Sequence, residues 1–298
     1  IFTSFVFGFD PSVRLTYRNP FLNEAGTNFL TASTAYSTIR NRSLLAQSGA
    51  GNFDEHHFSV ALTVGQRFGI SHTLWLSSAY EFVDVSEYQP GRTISADGKD
   101  HFPIAGLGYA YDTRDLFEYP SRGTLTQFTV TKFGIPGNEV DIVRYATDLR
   151  KYFPLSERFV LQGRVFGDLA AAGRTPSYNR TYFGYGERIR GHFKEVMEGE
   201  NIAGFSTELH YALLPARFFK VGFLPEQFSV WKFGISAAAF ADAGTVWFRS
   251  QPFALNRFAK GYGLGLHFLL PYSAVIRVEY AWNEVRRGEF IVDLGAAF

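Results

Sequence analysis

Apolar and polar positions alternate along most of this 298-residue chain. Phe58, Val60, Leu62 and Val64 are interleaved with Ser59, Ala61, Thr63 and Gly65, and Ala274, Ile276, Val278 and Tyr280 with Val275, Arg277 and Glu279. At the end of the chain Phe290, Val292, Leu294, Ala296 and Phe298 alternate with Ile291, Asp293, Gly295 and Ala297. A period of two belongs to β-strands with two unlike faces. It predicts strands over residues 3–9, 12–19, 28–39, 56–67, 72–84, 101–112, 123–134, 139–152, 158–170, 202–213, 233–244, 261–270, 274–282 and 288–298, about fourteen in all. Many run to about nine residues or more, the length of a tilted bilayer crossing.

Alternation alone fits a soluble sandwich, whose apolar face is its core, or a membrane barrel, whose apolar face meets lipid. The connections separate the two. Short turns at residues 19–26, 67–72, 153–158 and 270–273 alternate with long polar segments at 41–56, 84–101 and 171–201. Turns at one end and long loops at the other are the habit of outer-membrane barrels. Tyr17, Tyr80, Phe82, Tyr109, Tyr111, Tyr152, Phe153 and Tyr280 cluster near strand ends, as interfacial aromatic girdles require. The predicted fold class is all-β, a transmembrane antiparallel β-barrel.

Composition supports this. No window approaches the roughly 20 apolar residues of a transmembrane helix, so a helical membrane protein is excluded. The chain has 32 Phe, 16 Tyr and 29 Gly against 12 Pro and 1 Met, a mix suited to barrel strands. A net charge of +1 with interspersed signs gives no field for nucleic acid. The absence of cysteine removes disulfide and thiolate chemistry. The start at Ile1 reads as a mature, trimmed or partial product.

Signals for catalysis fail. His56 and His57 follow Asp54 and Glu55, but neighbouring histidines on a strand point to opposite faces, and surface loop positions fit them better. Gly261, Gly263 and Gly265 imitate a dinucleotide fingerprint without the helix that must follow it. No nucleophile elbow, phosphate loop or zinc-protease helix occurs. The expectation is a non-enzymatic chain with no cofactor and no metal.

Four segments resemble the Omp85 superfamily, the barrels that insert or translocate polypeptides at outer membranes. Tyr111-Asp112-Thr113-Arg114-Asp115 with Tyr119-Pro120-Ser121-Arg122-Gly123 is similar to a periplasmic turn of the family. Ile189-Arg190-Gly191-His192-Phe193 resembles the tip of the sixth extracellular loop, where Val-Arg-Gly-Phe or Val-Arg-Gly-Tyr is usual. Residues 240–247 resemble the thirteenth strand, and Gly261 to Leu270 with Ile276 to Ala281 the closing hairpin. Each segment is weak alone, and their order along residues 100–298 carries the resemblance.

The resemblance implies one barrel domain over residues 1–298, covering about fourteen of the family's sixteen strands. The first strand here corresponds to about the third, so the N-terminal hairpin and any periplasmic POTRA modules fall outside the chain. It also implies a sixth loop folded into the lumen, with Ile189, Arg190, Gly191 and Phe193 at its tip and Arg190 meeting Glu208 and Asp242. A planar guanidinium in a confined lumen needs such carboxylates. A solvated loop arginine and an ordinary lumen acid are the alternative. The extra His192, between Gly191 and Phe193, leaves the aromatic's role open.

Asp112, Arg114, Asp115, Pro120 and Gly123 would form the tight turn. Phe290 and the terminal Phe298 would carry the outer-membrane signal at the seam between first and last strands. Gly261, Gly263, Gly265, Gly288 and Gly295 would weaken that seam, unless they are ordinary strand glycines. The implied setting is the bacterial outer membrane, with lipid, polypeptide clients and other envelope proteins or a fused N-terminal domain as partners. Two further readings stay open: an anchor and exporter for an attached domain such as a patatin-like lipase (type V secretion), and a diffusion pore. A soluble β protein is the plainest.

Overall fold

The structure, a computed structural model, describes residues 1–47, 51–85, 91–137 and 139–295. Fourteen strands form a single sheet. They are β1 (Phe2–Val6), β2 (Ser12–Asn19), β3 (Asn28–Arg40), β4 (Asp54–Phe68), β5 (His72–Val85), β6 (Lys99–Asp112), β7 (Gly123–Gly134), β8 (Asp141–Pro154) and β9 (Phe159–Ala171). After a two-stranded hairpin, β10 (Thr181–Phe183) and β11 (Met197–Gly199), follow β12 (Asn201–Lys220), β13 (Val230–Trp247), β14 (Ala259–Leu269), β15 (Val275–Asn283) and β16 (Gly288–Leu294). Each sheet strand pairs antiparallel with its neighbour in sequence, except that β9 pairs with β12 across the β10–β11 hairpin. Among the described residues β1 pairs only with β2 and β16 only with β15.

The faces are inverted relative to a water-soluble protein. Phe58, Val60, Leu62, Leu76, Phe82, Val165 and Leu264 point outward and are exposed, while Gln162, Glu208, His210, His267, Arg277 and Glu279 point inward and are buried. Such a surface is stable against hydrocarbon, where strand pairing satisfies the backbone. Among the described residues no helix is long and apolar enough to cross a membrane.

All fourteen predicted sheet strands are present. The largest difference is at β12 and β13, which run on to Lys220 and from Val230, beyond the expected limits at 213 and 233. The extension pairs β12 with β13 alone and slips register between Ala212 and Arg217, which accommodates Pro215. A proline without an amide hydrogen is tolerated at an unpaired edge or bulge. His56 and His57 lie on β4, inside the strand expected over 56–67 and not at the surface-loop positions preferred for them on sequence alone. His56 Nδ1 lies 3.1 Å from Thr38 Oγ1, and His57 Nδ1 lies 2.8 Å from Glu81 Oε1. Phe298 lies outside the described residues, and Phe290 is exposed on β16.

At the long-loop end, Val83, Phe102, Val140, Ile142 and Ala170 form an apolar cluster capped by Tyr178 of the loop between β9 and β12. From there residues 172–200 descend inside the sheet.

Candidate functional site

The descending loop is held along its length. Arg144 on β8 donates from Nη1 to the carbonyl of Asn179 (2.7 Å) and from Nη2 to that of Glu200 (3.2 Å). Arg180 pairs with Glu198, whose Oε1 also accepts from Ser43 Oγ at 2.5 Å. Deeper in, Arg164 of β9 forms a two-pronged pair with Glu187, at 2.8 and 2.9 Å, with its planar guanidinium 4.1 Å from the ring centre of Phe166. Phe183 and Ile189 pack with Ile202 of β12.

At the tip the chain reverses. The amide of His192 donates to the carbonyl of Ile189 at 2.9 Å, with Gly191 at φ +99°. That is the left-handed third position of a tight turn, where glycine carries no steric penalty. Arg190, on the convex side, is buried. Its Nε and Nη2 donate to the two oxygens of Asp242 at 2.7 and 2.8 Å, and its backbone amide donates to the same carboxylate at 3.2 Å. Nη1 pairs with Glu208 and, at 3.0 Å, with Glu279. Ser206 adds a hydroxyl to Asp242, and Phe240 lies flat beneath the guanidinium at 3.6 Å. A planar cation is thus met by carboxylates in its plane and an aromatic ring on its face, the two environments a guanidinium satisfies best.

Of the residues singled out by sequence, Arg190, Glu208 and Asp242 come together here. Glu279 and Phe240 were missed as partners, although alternation on β15 and β13 puts both on the inner face. Arg277 extends the network, donating to Glu279 at 3.0 Å and to Asp293 at 2.7 Å. A polar cavity of about 450 Å³ opens beside these groups, lined by Arg150, Arg164, Glu187 and Arg277 among others.

The inserted His192 has a place. As the fourth residue of the turn it joins a different pair of acids from Arg190, with Nδ1 2.8 Å from Glu195 and Nε2 2.8 Å from Glu284. Burial disfavours its charge, but the Glu195 and Glu284 carboxylates outweigh that and raise its pKa above the ordinary value. Phe193 then turns inward against Phe240, Ala281 and Ile291. The Glu289 carboxylate accepts from the amides of both Gly191 and Phe193 at 2.8 Å.

The turn between β6 and β7 is ordered by two acids. Asp112 pairs with Arg114 through both oxygens, at 3.0 and 2.8 Å. Asp115 accepts from the amides of Leu116, Ser121 and Arg122 and from the Ser121 hydroxyl, at 2.5 Å for the last. Burial opposes ionisation of Asp115, yet these donors depress its pKa. Pro120 is buried, and Gly123 has φ +109°. The turn carries Tyr119 into the lumen, where it stacks on His210 at 4.8 Å and its hydroxyl lies 3.0 Å from His267 Nδ1. Sequence gave no sign that this turn reaches across to β12 and β14.

Comparison with known proteins identifies the architecture. The model of the Omp85 superfamily domain matches residues 8–298. The chain belongs to the Omp85 superfamily. It is a bacterial outer-membrane protein. The outer membrane protein assembly factor BamA of Nitratidesulfovibrio vulgaris is 26% identical over 167 residues, which are 48% of this chain and 21% of that protein. The crystal structure of BamA from Haemophilus ducreyi lacking POTRA domains 1–3 superposes with a TM-score of 0.71 at 15% identity, over 96% of this chain and 62% of that one. CdiB from Escherichia coli gives 0.60 at 10% identity, over 96% and 52%, and CdiB from Acinetobacter baumannii 0.58 at 12%, over 96% and 49%. The likeness to the solved structures is one of fold, and the chain spans less than two thirds of each of these relatives.

Proposed function

We propose that this Omp85 barrel inserts polypeptides into the bacterial outer membrane, with its sixth loop held in the lumen as a latch. The observation that carries the reading is the docking of Arg190 on Glu208, Asp242 and Glu279, which fixes a loop inside a barrel of this superfamily. A filled lumen opposes free diffusion and leaves the strand edges as the surface on which a client acts. Unpaired backbone groups on an edge such as β16 recruit an extended segment by strand addition. Phe290 and Val292, exposed on that strand, flank the place where a client strand would add.

The test is photo-crosslinking from Phe290 and Val292 in the full-length protein in cells, together with its depletion. Insertion predicts adducts with nascent outer-membrane proteins and a fall in many of them on depletion. The CdiB-like fold favours export as the second reading, which predicts adducts with one secreted protein and loss of that protein alone. Absence of polypeptide adducts, with a large conductance in planar bilayers, would sink both and favour a pore. Partners beyond lipid and client, including a fused N-terminal domain, belong to the same test.

A further inference from the structure

Beneath the Arg190 network lies a second group that shares Glu208 with the latch and adds two histidines the latch does not use. Glu208 and His210 are alternate residues on the inner face of β12, and His267 stands on the inner face of β14. The strand between them presents Ser236 and Ala238 at the facing register positions, opposite His267 and His210. These small side chains let the imidazoles meet over β13, with ring centres 5.2 Å apart. One donor atom from each of Glu208, His210 and His267 falls within 4.8 Å of the others, and all three residues are buried.

We propose that Glu208, His210 and His267 bind one divalent transition-metal ion of the zinc class, through a Glu208 oxygen, His210 Nε2 and His267 Nδ1. Two imidazoles and one carboxylate are a common zinc donor set. At zinc-to-ligand distances near 2.0 Å, tetrahedral donors stand about 3.4 Å apart, so small rotations close the present spread. His210 Nε2, in direct contact with Glu208 Oε1, would draw back from it and give up the Gln162 amide that bonds both, while His267 Nδ1, 3.8 Å from the same oxygen, would draw nearer. The opposite nitrogen of His267 lies 3.3 Å from Glu279, the carboxylate-histidine arrangement that orients a metal-binding imidazole. The Tyr119 hydroxyl, 3.0 Å from His267 Nδ1, is placed as a fourth donor.

Charge gives independent support. The linked ion pairs contain two guanidiniums, Arg190 and Arg277, and four carboxylates, Glu208, Asp242, Glu279 and Asp293. With neutral imidazoles this network carries two uncompensated negative charges, three of its four acids being buried. A divalent cation at Glu208 brings the sum to zero. It lets one carboxylate serve both sides, one oxygen on Arg190 and the other on the metal.

The proposal is tested on the full-length protein, purified in detergent without a histidine tag and stripped with chelator. Zn(II) or Co(II) is added, excess is removed by gel filtration, and bound metal is counted by mass spectrometry. The expected result is one ion per chain above that retained by the His210→Asn/His267→Asn double variant, with a tetrahedral Co(II) visible spectrum that the variant lacks. Glu279→Gln is expected to keep the ion about tenfold more weakly. If the double variant does not fold, as judged by heat-modifiable mobility, His267→Gln alone is expected to weaken binding at least tenfold. Wild-type protein holding no more Zn(II) than the histidine variants overturns the proposal.

Discussion

The carbonyl oxygen of Arg190 stands 1.5 Å from the point that a β-carbon on Gly261 would occupy. The loop tip therefore lies directly on the backbone of β14, and any side chain at that position must push it away. Gly261→Ala is expected to undock the tip and expose residues 172–200 to protease, as Arg190→Ala should. Gly163→Ala, where the nearest atom to the new carbon is 3.9 Å away, should leave the digestion pattern unchanged. Equal protease resistance of Gly261→Ala and wild type would contradict this packing.

Removing the guanidinium leaves Glu208, Asp242 and Glu279 together without their shared cation. Arg190→Ala is expected to cost about 3 to 5 kcal/mol of loop-docking stability, the usual penalty for breaking a buried pair. Arg190→Lys should recover only part of it, because an ammonium cannot span Asp242 and Glu208 in one plane. Thermal unfolding by heat-modifiable mobility, read alongside loop proteolysis, gives the order wild type, Lys, Ala.

His192 makes the tip sensitive to pH. Its pKa is raised in the folded protein, so its contribution is full below the ordinary value of 6.5 and is lost as pH rises through the folded value. Glu284 works in the other direction: burial opposes its charge, the His192 contact lowers its pKa, and its contribution disappears below about pH 4.5. The tether is strongest between these limits. Cleavage near residues 192–195 should rise as pH climbs above 6.5, more steeply in low salt because both acids are half-exposed. His192→Gln should flatten the profile.

Asp115 gathers four donors into one turn. Asp115→Ala removes the acceptor shared by the amides of Leu116, Ser121 and Arg122, which water then satisfies at this exposed turn, and is expected to destabilise the turn by about 0.5 to 1.5 kcal/mol. The carboxyl's depressed pKa means that wild-type turn stability is present above about pH 3.8 and falls as pH drops through the folded value. Hydrogen exchange across residues 113–124 measures both effects. An Asp115→Ala protein with unchanged protection there would show that the turn is held by Tyr119 instead.

The strand pattern was legible because most of these strands keep a period of two, as on β4, where Phe58, Val60, Leu62 and Val64 point outward. Arg190 with Glu208 and Asp242 was legible through ordered motifs and not through spacing, since nothing local links a loop residue to strands 18 and 52 positions away. Glu279, 89 positions on, was visible only as an inward residue. Tyr119 meeting His267 across 148 positions left no local trace, because a turn's own hydrogen bonds do not reveal where its one aromatic points. The end of β12 beyond residue 213 left no trace in the alternation, because past Tyr211 the strand pairs with β13 alone and its register slips around Pro215.

Every carboxylate that receives Arg190 lies later in the chain than Arg190 itself: Glu208 on β12, Asp242 on β13 and Glu279 on β15. The loop is thus made before the surface that holds it. Until β15 is in place the guanidinium lacks Glu279, one of its three carboxylates. The complete latch is therefore a sign that the C-terminal strands have been laid down in register.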